Sequence, residues 1–227
     1  GLNALTNFVI SSSLLSDFSD SKVDFEEIKN FYKSSPKPFN EQRPINIAMS
    51  SVYSRLSDYK GMLFHLEKVI KSGDFIPYDL CNYGYWRCFD KNWKQSDFFE
   101  YGKFVEKNLA EYPQNQLVKL SNTKNKKINL GILSADLKSD HSITFFLKTI
   151  LSNYNKDDVE IYLFSNQINI DSISTEISAL VHKTIDISKL NDSNALNKIR
   201  QFNLDIMIDV MGYTSRNRIG LFKNRVA

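Results

Sequence analysis

The spacing of hydrophobic residues changes once along the chain. Up to about residue 120 they recur every three or four positions, the period of an α-helix, and after residue 127 short apolar runs alternate with helical patterns. This change predicts a helical domain at residues 1–120 and a second domain at residues 128–227. Residues 121–127, SNTKNKK, are polar and basic without periodicity, so we interpret them as a linker.

The helical half contains a predicted helix at residues 23–34 and then two helical hairpins. The first hairpin spans residues 46–74 and breaks at Ser57-Asp58, and the second ends at Pro113. The Ser57-Asp58-Tyr59 turn resembles that of a tetratricopeptide repeat, and an ordinary helical domain is the alternative. We expect His65 to be a packed or surface residue rather than a ligand. The apolar positions expected to be buried in the first hairpin are Ala48, Val52, Met62, Leu66 and Val69.

The second half predicts a Rossmann-like fold. Strand patterns at KINLGILSAD, VEIYLFSN, TIDIS and LDIMIDVMG alternate with helical patterns, the order of a parallel sheet covered on both faces. Asp171 is the expected N-cap of the second of these helices. The helix after the first strand is expected to bury Ile143, Phe146, Leu147, Ile150 and Leu151. No glycine-rich phosphate-binding motif follows any strand, which argues against a dinucleotide or P-loop site.

Composition narrows the class of protein. With 42% hydrophobic and 13% aromatic residues, the 227-residue chain can build cores, and a net charge of +3 does not suggest a dedicated nucleic-acid binder. Cys81 and Cys88 are expected to be free thiols. No run approaches the ~20 apolar residues of a membrane span, and the start lacks the basic residues of a signal peptide. We therefore expect a cytoplasmic protein without membrane or nucleic-acid partners.

Two strand ends carry candidate chemistry, because ligands of open α/β sheets bind outside the carboxyl ends of strands. After the first strand, in SADLKSDH, Asp136 closes the strand and His141 stands near the start of the next helix. The positive end of that helix disfavours an imidazolium, so we expect a neutral His141 that can accept a proton. Alternatively, Asp140 or Ser142 caps the helix and His141 only fills the loop.

The second strand end is DVMGYTSRNR, after the last strand. Gly212 permits a sharp exit, and Tyr213 and Thr214 offer hydroxyl groups at the same edge. Arg216 and Arg218 follow at an expected helix start. The sequence leaves open whether these arginines bind an anion or form a solvated surface.

Together these motifs resemble the protein O-linked N-acetylglucosamine transferase and SPINDLY-like family of glycosyltransferases. The resemblance covers residues 127–227, with looser support from the helical repeats. The family has a serine-x-aspartate, a short loop and a histidine, then an Asp-x-x-Gly-Tyr-Thr turn and an arginine-containing element. The matching residues are Ser134, Asp136 and His141, then Asp209, Gly212, Tyr213 and Thr214, then Arg225 and Ala227.

The resemblance implies a fold and an activity. The fold is α plus α/β, with tetratricopeptide-like repeats before the first Rossmann-like lobe of a two-lobed GT-B enzyme. The activity is transfer of N-acetylglucosamine or another hexose from a UDP-sugar to a protein that the repeats bind, without a metal or cofactor. His141 and Asp136 are the implied catalytic residues, and the cleft residues are Ser142, Gly212, Tyr213 and Thr214.

Three departures from the family pattern matter. The loop DLKSDH is one residue longer than the family spacing, Ile143 replaces a frequent threonine, and the sequence stops at Ala227, before the donor-binding lobe. We therefore expect a fragment that is inactive alone. The rival hypotheses are a non-catalytic interaction module and an unrelated nucleotide-binding Rossmann domain.

Overall fold

The computed structural model describes residues 30, 32–34, 41–110, 127–139, 141–224 and 226–227. The chain divides into two compact units, Gly1–Val105 and Glu106–Ala227. Most of the predicted helix at 23–34, linker residues 121–126 and Pro113 lie outside the described residues.

The first unit begins its described part with a helical hairpin. Helix α1 (Arg43–Arg55) is followed by α2 (Tyr59–Ser72), and the break predicted at Ser57-Asp58 is confirmed. Ser57 has a φ of 56°, and the Asp58 carboxylate caps α2 by accepting a hydrogen bond from the Gly61 N–H at 2.9 Å. A Cβ atom at Gly61 would lie 2.2 Å from the Tyr53 ring, so glycine permits the close approach of the two helices. All five apolar positions expected in this hairpin are buried.

Helices α3 (Pro77–Arg87) and α4 (Gln95–Asn108) follow. The Tyr101 hydroxyl on α4 donates to the Leu80 carbonyl on α3 at 2.7 Å. Buried Asp79 on α3 pairs with Arg43 on α1 at 2.6 Å and accepts from the Ile76 N–H at 2.9 Å. Cys81 and Cys88 are not joined in a disulfide, as expected.

The second unit contains a four-stranded parallel sheet, which confirms the predicted Rossmann-like fold. The strands are β1 (Ile128–Ser134), β2 (Val159–Ser165), β3 (Lys183–Asp186) and β4 (Ile206–Asp209), in the order β3-β2-β1-β4. Leu133 in the middle of the sheet is in register with Phe164 of β2 and Asp209 of β4. The helices are α5 (Ser142–Asn153), α6 (Ser172–Leu180), α7 (Asp192–Arg200) and a 3₁₀ helix at Ile219–Asn224.

Two hydrophobic clusters cover the two faces of this sheet. Alternation along β1 sends Ile132 into one cluster and Leu133 into the other, because successive strand residues point to opposite faces. The Ile132 cluster contains residues of α5 and α6, and the Leu133 cluster contains residues of α7 and the 3₁₀ helix. Burial on both faces explains the nearly continuous apolar runs of β1 and β2.

Two burial expectations were wrong. Phe146 and Ile150 of α5 are 66% and 58% exposed, because the helix contacts the sheet along the narrower stripe of Thr144, Leu147 and Leu151. Strand β4 also exposes part of its surface, since it is an edge strand of the described sheet.

Candidate functional site

The strand order creates a switch point between β1 and β4. The chain passes from β1 through α5 to β2 and then to β3 on one side, whereas β4 returns to the opposite side of β1. Loops that leave such neighbouring strands in opposite directions open a crevice at their carboxyl ends, where α/β proteins bind ligands. The SADLKSDH and DVMGYT motifs both begin at this point.

Three backbone contacts anchor the end of β1. The buried hydroxyl of Ser134 accepts a hydrogen bond from the Asp136 N–H at 3.2 Å, and its carbonyl accepts from the Asn166 N–H at 2.8 Å. The Ala135 N–H lies 3.0 Å from the sulfur of buried Met211, which belongs to the loop after β4. This contact holds the two candidate motifs beside each other.

His141 is the N-cap residue of α5. Its Nδ1 accepts a hydrogen bond from the Ile143 N–H at 3.4 Å, and its Nε2 lies 3.6 Å from Oδ2 of Asp136. The two side chains are 35% and 19% exposed. Because Nδ1 acts as an acceptor, the neutral ring carries its proton on Nε2, the nitrogen that faces the carboxylate. The structure therefore brings the predicted pair together, with a defined tautomer.

The alternative cap residues are not the observed cap. Ser142 is the first residue of α5 and is exposed, whereas Asp140 lies outside the described residues. His141 itself takes the capping role that the alternative gave to its neighbours. It is thus both the helix cap and the neighbour of Asp136.

Asp209 organises the turn after β4. Its carboxylate accepts hydrogen bonds from the Met211 N–H at 2.9 Å and the Gly212 N–H at 3.1 Å. Burial raises the pKa of Asp209, and these two hydrogen bonds partly oppose that rise. Gly212 has a φ of 54°, in the left-handed region that glycine tolerates best. This matched motif aspartate therefore shapes the turn.

Tyr213 and Thr214 follow on this turn and are partly exposed. The Thr214 hydroxyl donates to the Met211 carbonyl at 2.8 Å, closing the turn that Asp209 begins. The structure thus places both residues in the loop at the switch point, after the strand that pairs with β1.

Arg218 holds several elements together. Its guanidinium donates to Asp192 Oδ1 at 2.6 Å and to Asn166 Oδ1 at 3.0 Å, and it also reaches the carbonyls of Ile187 and Leu190. A guanidinium with this many acceptors from its own protein has little capacity left for an anion. Arg218 is therefore a structural cross-link, an outcome that neither sequence alternative included.

Arg216 differs from Arg218. It is exposed, has a φ of 62°, and its carbonyl accepts from the side-chain amide of Asn166 at 2.8 Å. A helix does start beside these arginines, but it is a 3₁₀ helix that begins at Ile219, and the Arg218 carbonyl accepts from the Leu221 N–H at 2.9 Å.

Sequence reasoning missed Asn166, Asp192 and Met211. Asn166 directly follows β2 and bonds both to the end of β1 and to the loop after β4. The strand-end rule that selected Asp136 applies equally to Asn166 and was the available signal. No local pattern distinguishes Met211, because its contact with Ala135 depends on strand pairing.

The described residues include no group of three or more His, Cys, Asp or Glu side chains arranged to hold a metal ion. None of the helices in the described ranges is long and apolar enough to cross a membrane.

Comparisons with known proteins bear on the family and the fold. A family model described as glycosyl transferase family 41 matches residues 100–227. The chain is 23% identical over 120 residues to a probable UDP-N-acetylglucosamine–peptide N-acetylglucosaminyltransferase SPINDLY of Solanum lycopersicum. That match covers 51% of the chain but 13% of the relative.

A solved structure has a similar fold. It is a mutant of the Thermobaculum terrenum O-GlcNAc transferase, with a TM-score of 0.73 at 13% sequence identity. The match covers 100% of this chain and 42% of that one. The chain thus corresponds to less than half the length of either protein.

Proposed function

The chain belongs to glycosyl transferase family 41, and from this premise we propose that it is part of a protein glycosyltransferase. The proposed reaction transfers N-acetylglucosamine or another hexose from a UDP-sugar to a protein side chain. The chain would contribute helical repeats and the first Rossmann-like lobe.

The observation that carries this proposal is the switch point between β1 and β4. Asp136 and His141 leave one strand there, and Gly212, Tyr213 and Thr214 leave the other. Ligands of open α/β sheets occupy such crevices. The two motifs that resemble the family therefore lie where the fold itself favours binding.

In the proposed mechanism, an acceptor hydroxyl loses its proton as it attacks the anomeric carbon of the sugar. The His141 ring, oriented by Asp136, is the proposed acceptor or relay for that proton. In the observed tautomer Nε2 carries the hydrogen beside Asp136 and Nδ1 is the basic nitrogen, so the ring would accept the proton at Nδ1 after giving up its bond to the Ile143 N–H. Substrate binding would supply this change. Ser142, Gly212, Tyr213 and Thr214 would line the cleft.

Further parts of the proposal concern partners and setting. The helical repeats would bind the acceptor polypeptide, the reaction would take place in the cytoplasm, and no metal or cofactor would be needed. The chain alone would not catalyse transfer, because most donor contacts of the family belong to a second lobe.

Substitution of His141 in the complete gene product tests the catalytic proposal. We expect His141→Ala to lower sugar transfer from UDP-N-acetylglucosamine by about 10²-fold or more, since a general base contributes roughly that much. His182→Ala is the matched control, because His182 is an exposed histidine directly before β3 that contacts Tyr162. If the His141→Ala variant transfers sugar at the wild-type rate, His141 does not take part in the reaction.

A non-catalytic interaction module is the second candidate. Two observations favour it: His141 is engaged as a helix cap, and Arg218 is occupied by acceptors of its own protein. The module predicts that the complete gene product neither transfers sugar nor binds UDP by calorimetry. The transferase predicts both activities there, and weak or no UDP binding by the present chain alone.

A further inference from the structure

A buried threonine bonds to two carbonyls of the loop that carries Asp136. Thr144 lies in the first turn of α5 and is 3% exposed. Its Oγ1 is 3.0 Å from the Asp136 carbonyl and 2.8 Å from the Lys138 carbonyl. One hydroxyl proton is thus shared between the carbonyls on either side of Leu137.

Other contacts fix the same loop. The Leu137 side chain is buried in the Ile132 cluster, which also contains residues of α5. The Ser139 N–H donates to Asp171 Oδ2 at 2.9 Å. Several hydrogen bonds to the Asp171 carboxylate, from Ser174 first and from Ser139, keep its pKa well below the usual range. The Thr144 N–H donates to the His141 carbonyl at 3.1 Å. Thr144 thus hydrogen-bonds to the backbone carbonyls of both Asp136 and His141.

We propose that Thr144 is a positioning residue, whose hydroxyl sets the loop conformation in which His141 Nε2 faces Asp136. The effect of Thr144 on catalysis rests on the proposed function, whereas its effect on the loop conformation does not. The role also explains how the DLKSDH loop accommodates its additional residue. The Thr144 hydroxyl bonds to two carbonyls of this loop, and the resulting turn keeps His141 close to Asp136.

Loss of the hydroxyl has a specific consequence. Without it, the Asp136 and Lys138 carbonyls lose a shared buried donor, and the loop can leave the observed conformation. His141 then no longer keeps Nδ1 at the Ile143 N–H and Nε2 at the carboxylate. The preference for one tautomer is set by these partners, so it weakens with them.

Nitrogen NMR of the histidine rings in this chain tests the proposal. The probe is the chemical-shift separation between Nδ1 and Nε2 of His141 in ¹⁵N-histidine-labelled protein. In Thr144→Val, which keeps the side-chain shape, we expect this separation to collapse toward that of a free imidazole. Thr144→Ser retains the hydroxyl and should restore the wild-type separation. Thr144→Ala provides a second variant without a hydroxyl, should the valine disturb packing.

Two internal references separate positioning from general destabilisation. Thr184→Val removes another buried hydroxyl, one without a hydrogen-bond partner among the described residues, and should leave the His141 signals unchanged. His65, bound to Asn46 in the helical unit, should keep its own tautomer in every variant. An unchanged His141 separation in both Thr144→Val and Thr144→Ala overturns the proposal, and so does a collapse in Thr144→Ser.

The complete gene product supplies an independent readout. There Thr144→Val should lower kcat with little change in KM, and Thr144→Ser should restore kcat. If His141→Ala leaves transfer unchanged, the proposed function fails while the NMR result still decides the role of Thr144.

Discussion

Two histidines of this chain show how surroundings determine a role. In the helical unit, His65 is 2% exposed, and its Nδ1 lies 2.9 Å from Asn46 Oδ1. The Asn46 amide nitrogen donates to the Gln42 carbonyl, so its oxygen must accept and His65 carries its proton on Nδ1. In the Rossmann-like unit, His141 is partly exposed, accepts at Nδ1 and carries its proton on Nε2 beside a carboxylate.

A polar partner alone therefore does not give a histidine a chemical role. His65 is enclosed by the rings of Tyr32, Tyr53 and Phe64, and burial together with the charge of Lys68 lowers its pKa to about 4. Such a ring stays neutral and serves packing. His141, by contrast, is partly accessible from solvent and lies beside a carboxylate, which is the setting that the proposed proton transfer needs.

The largest expected effect concerns the stability of the two units. His65→Ala should lower the free energy of unfolding of the helical unit by about 4 kcal/mol, because it creates a cavity and leaves the Asn46 oxygen without its donor. His141→Ala should cost about 1 kcal/mol, the contribution of a helix cap. Trp86 and Trp93 both belong to the helical unit, so their fluorescence during urea unfolding reports on it.

Hydrogen exchange of peptides from β1 and α5 measures the effect of His141→Ala in the other unit. Equal losses of stability for the two alanine variants would contradict the contrast between a packed and an accessible histidine.

The second prediction concerns pH. Because the pKa of His65 falls from 6.5 to about 4 on folding, the unfolded helical unit binds more protons between these values. His65 therefore contributes its full stability above about pH 6.5, and that contribution declines as the pH drops toward 4, by about 3 kcal/mol in all. Urea unfolding followed by tryptophan fluorescence at several pH values measures the decline.

His65→Gln isolates this contribution, since glutamine does not titrate in the same range. Its stability should depend less on pH than that of the wild type, and the difference should appear between pH 6.5 and 4. Parallel pH curves for the two proteins would contradict the assigned burial of His65.

The smallest effect extends the comparison to two arginines. Arg218→Met should destabilise the Rossmann-like unit by about 2 kcal/mol, since it leaves Asp192 and Asn166 without their shared donor. Arg216→Met, at an exposed side chain, should change stability by less than about 0.5 kcal/mol. Hydrogen exchange at the ends of β2 and β3 would reveal the difference, and similar protection in both variants would refute the cross-link.

The fold was largely predictable because its signals are local. A helix or strand can be predicted from the spacing of residues two to four positions apart. Periodicity therefore predicted the break of the helical hairpin at Ser57-Asp58 and the parallel strands. The Asp171 cap was equally local. Burial along α5 was less predictable: the apolar pattern includes Phe146 and Ile150, but the sheet covers only a narrower stripe.

The candidate site was predictable only in part. Strand ends and the paired motifs identified Asp136, His141 and the Gly212 to Thr214 turn. The partners of Arg218 lie 26 and 52 residues away in Asp192 and Asn166, and no pattern within one element connects them. The sequence also left open which residue caps α5.

Periodicity and short motifs were sufficient to predict the elements, their parallel arrangement and the family of the second half. Tertiary structure alone decided that β4 lies beside β1, which brings two motifs about seventy residues apart to one crevice. It also decided the tautomers of His65 and His141. A ring nitrogen takes or gives its proton according to the group that packs against it, and packing joins residues that the chain keeps apart.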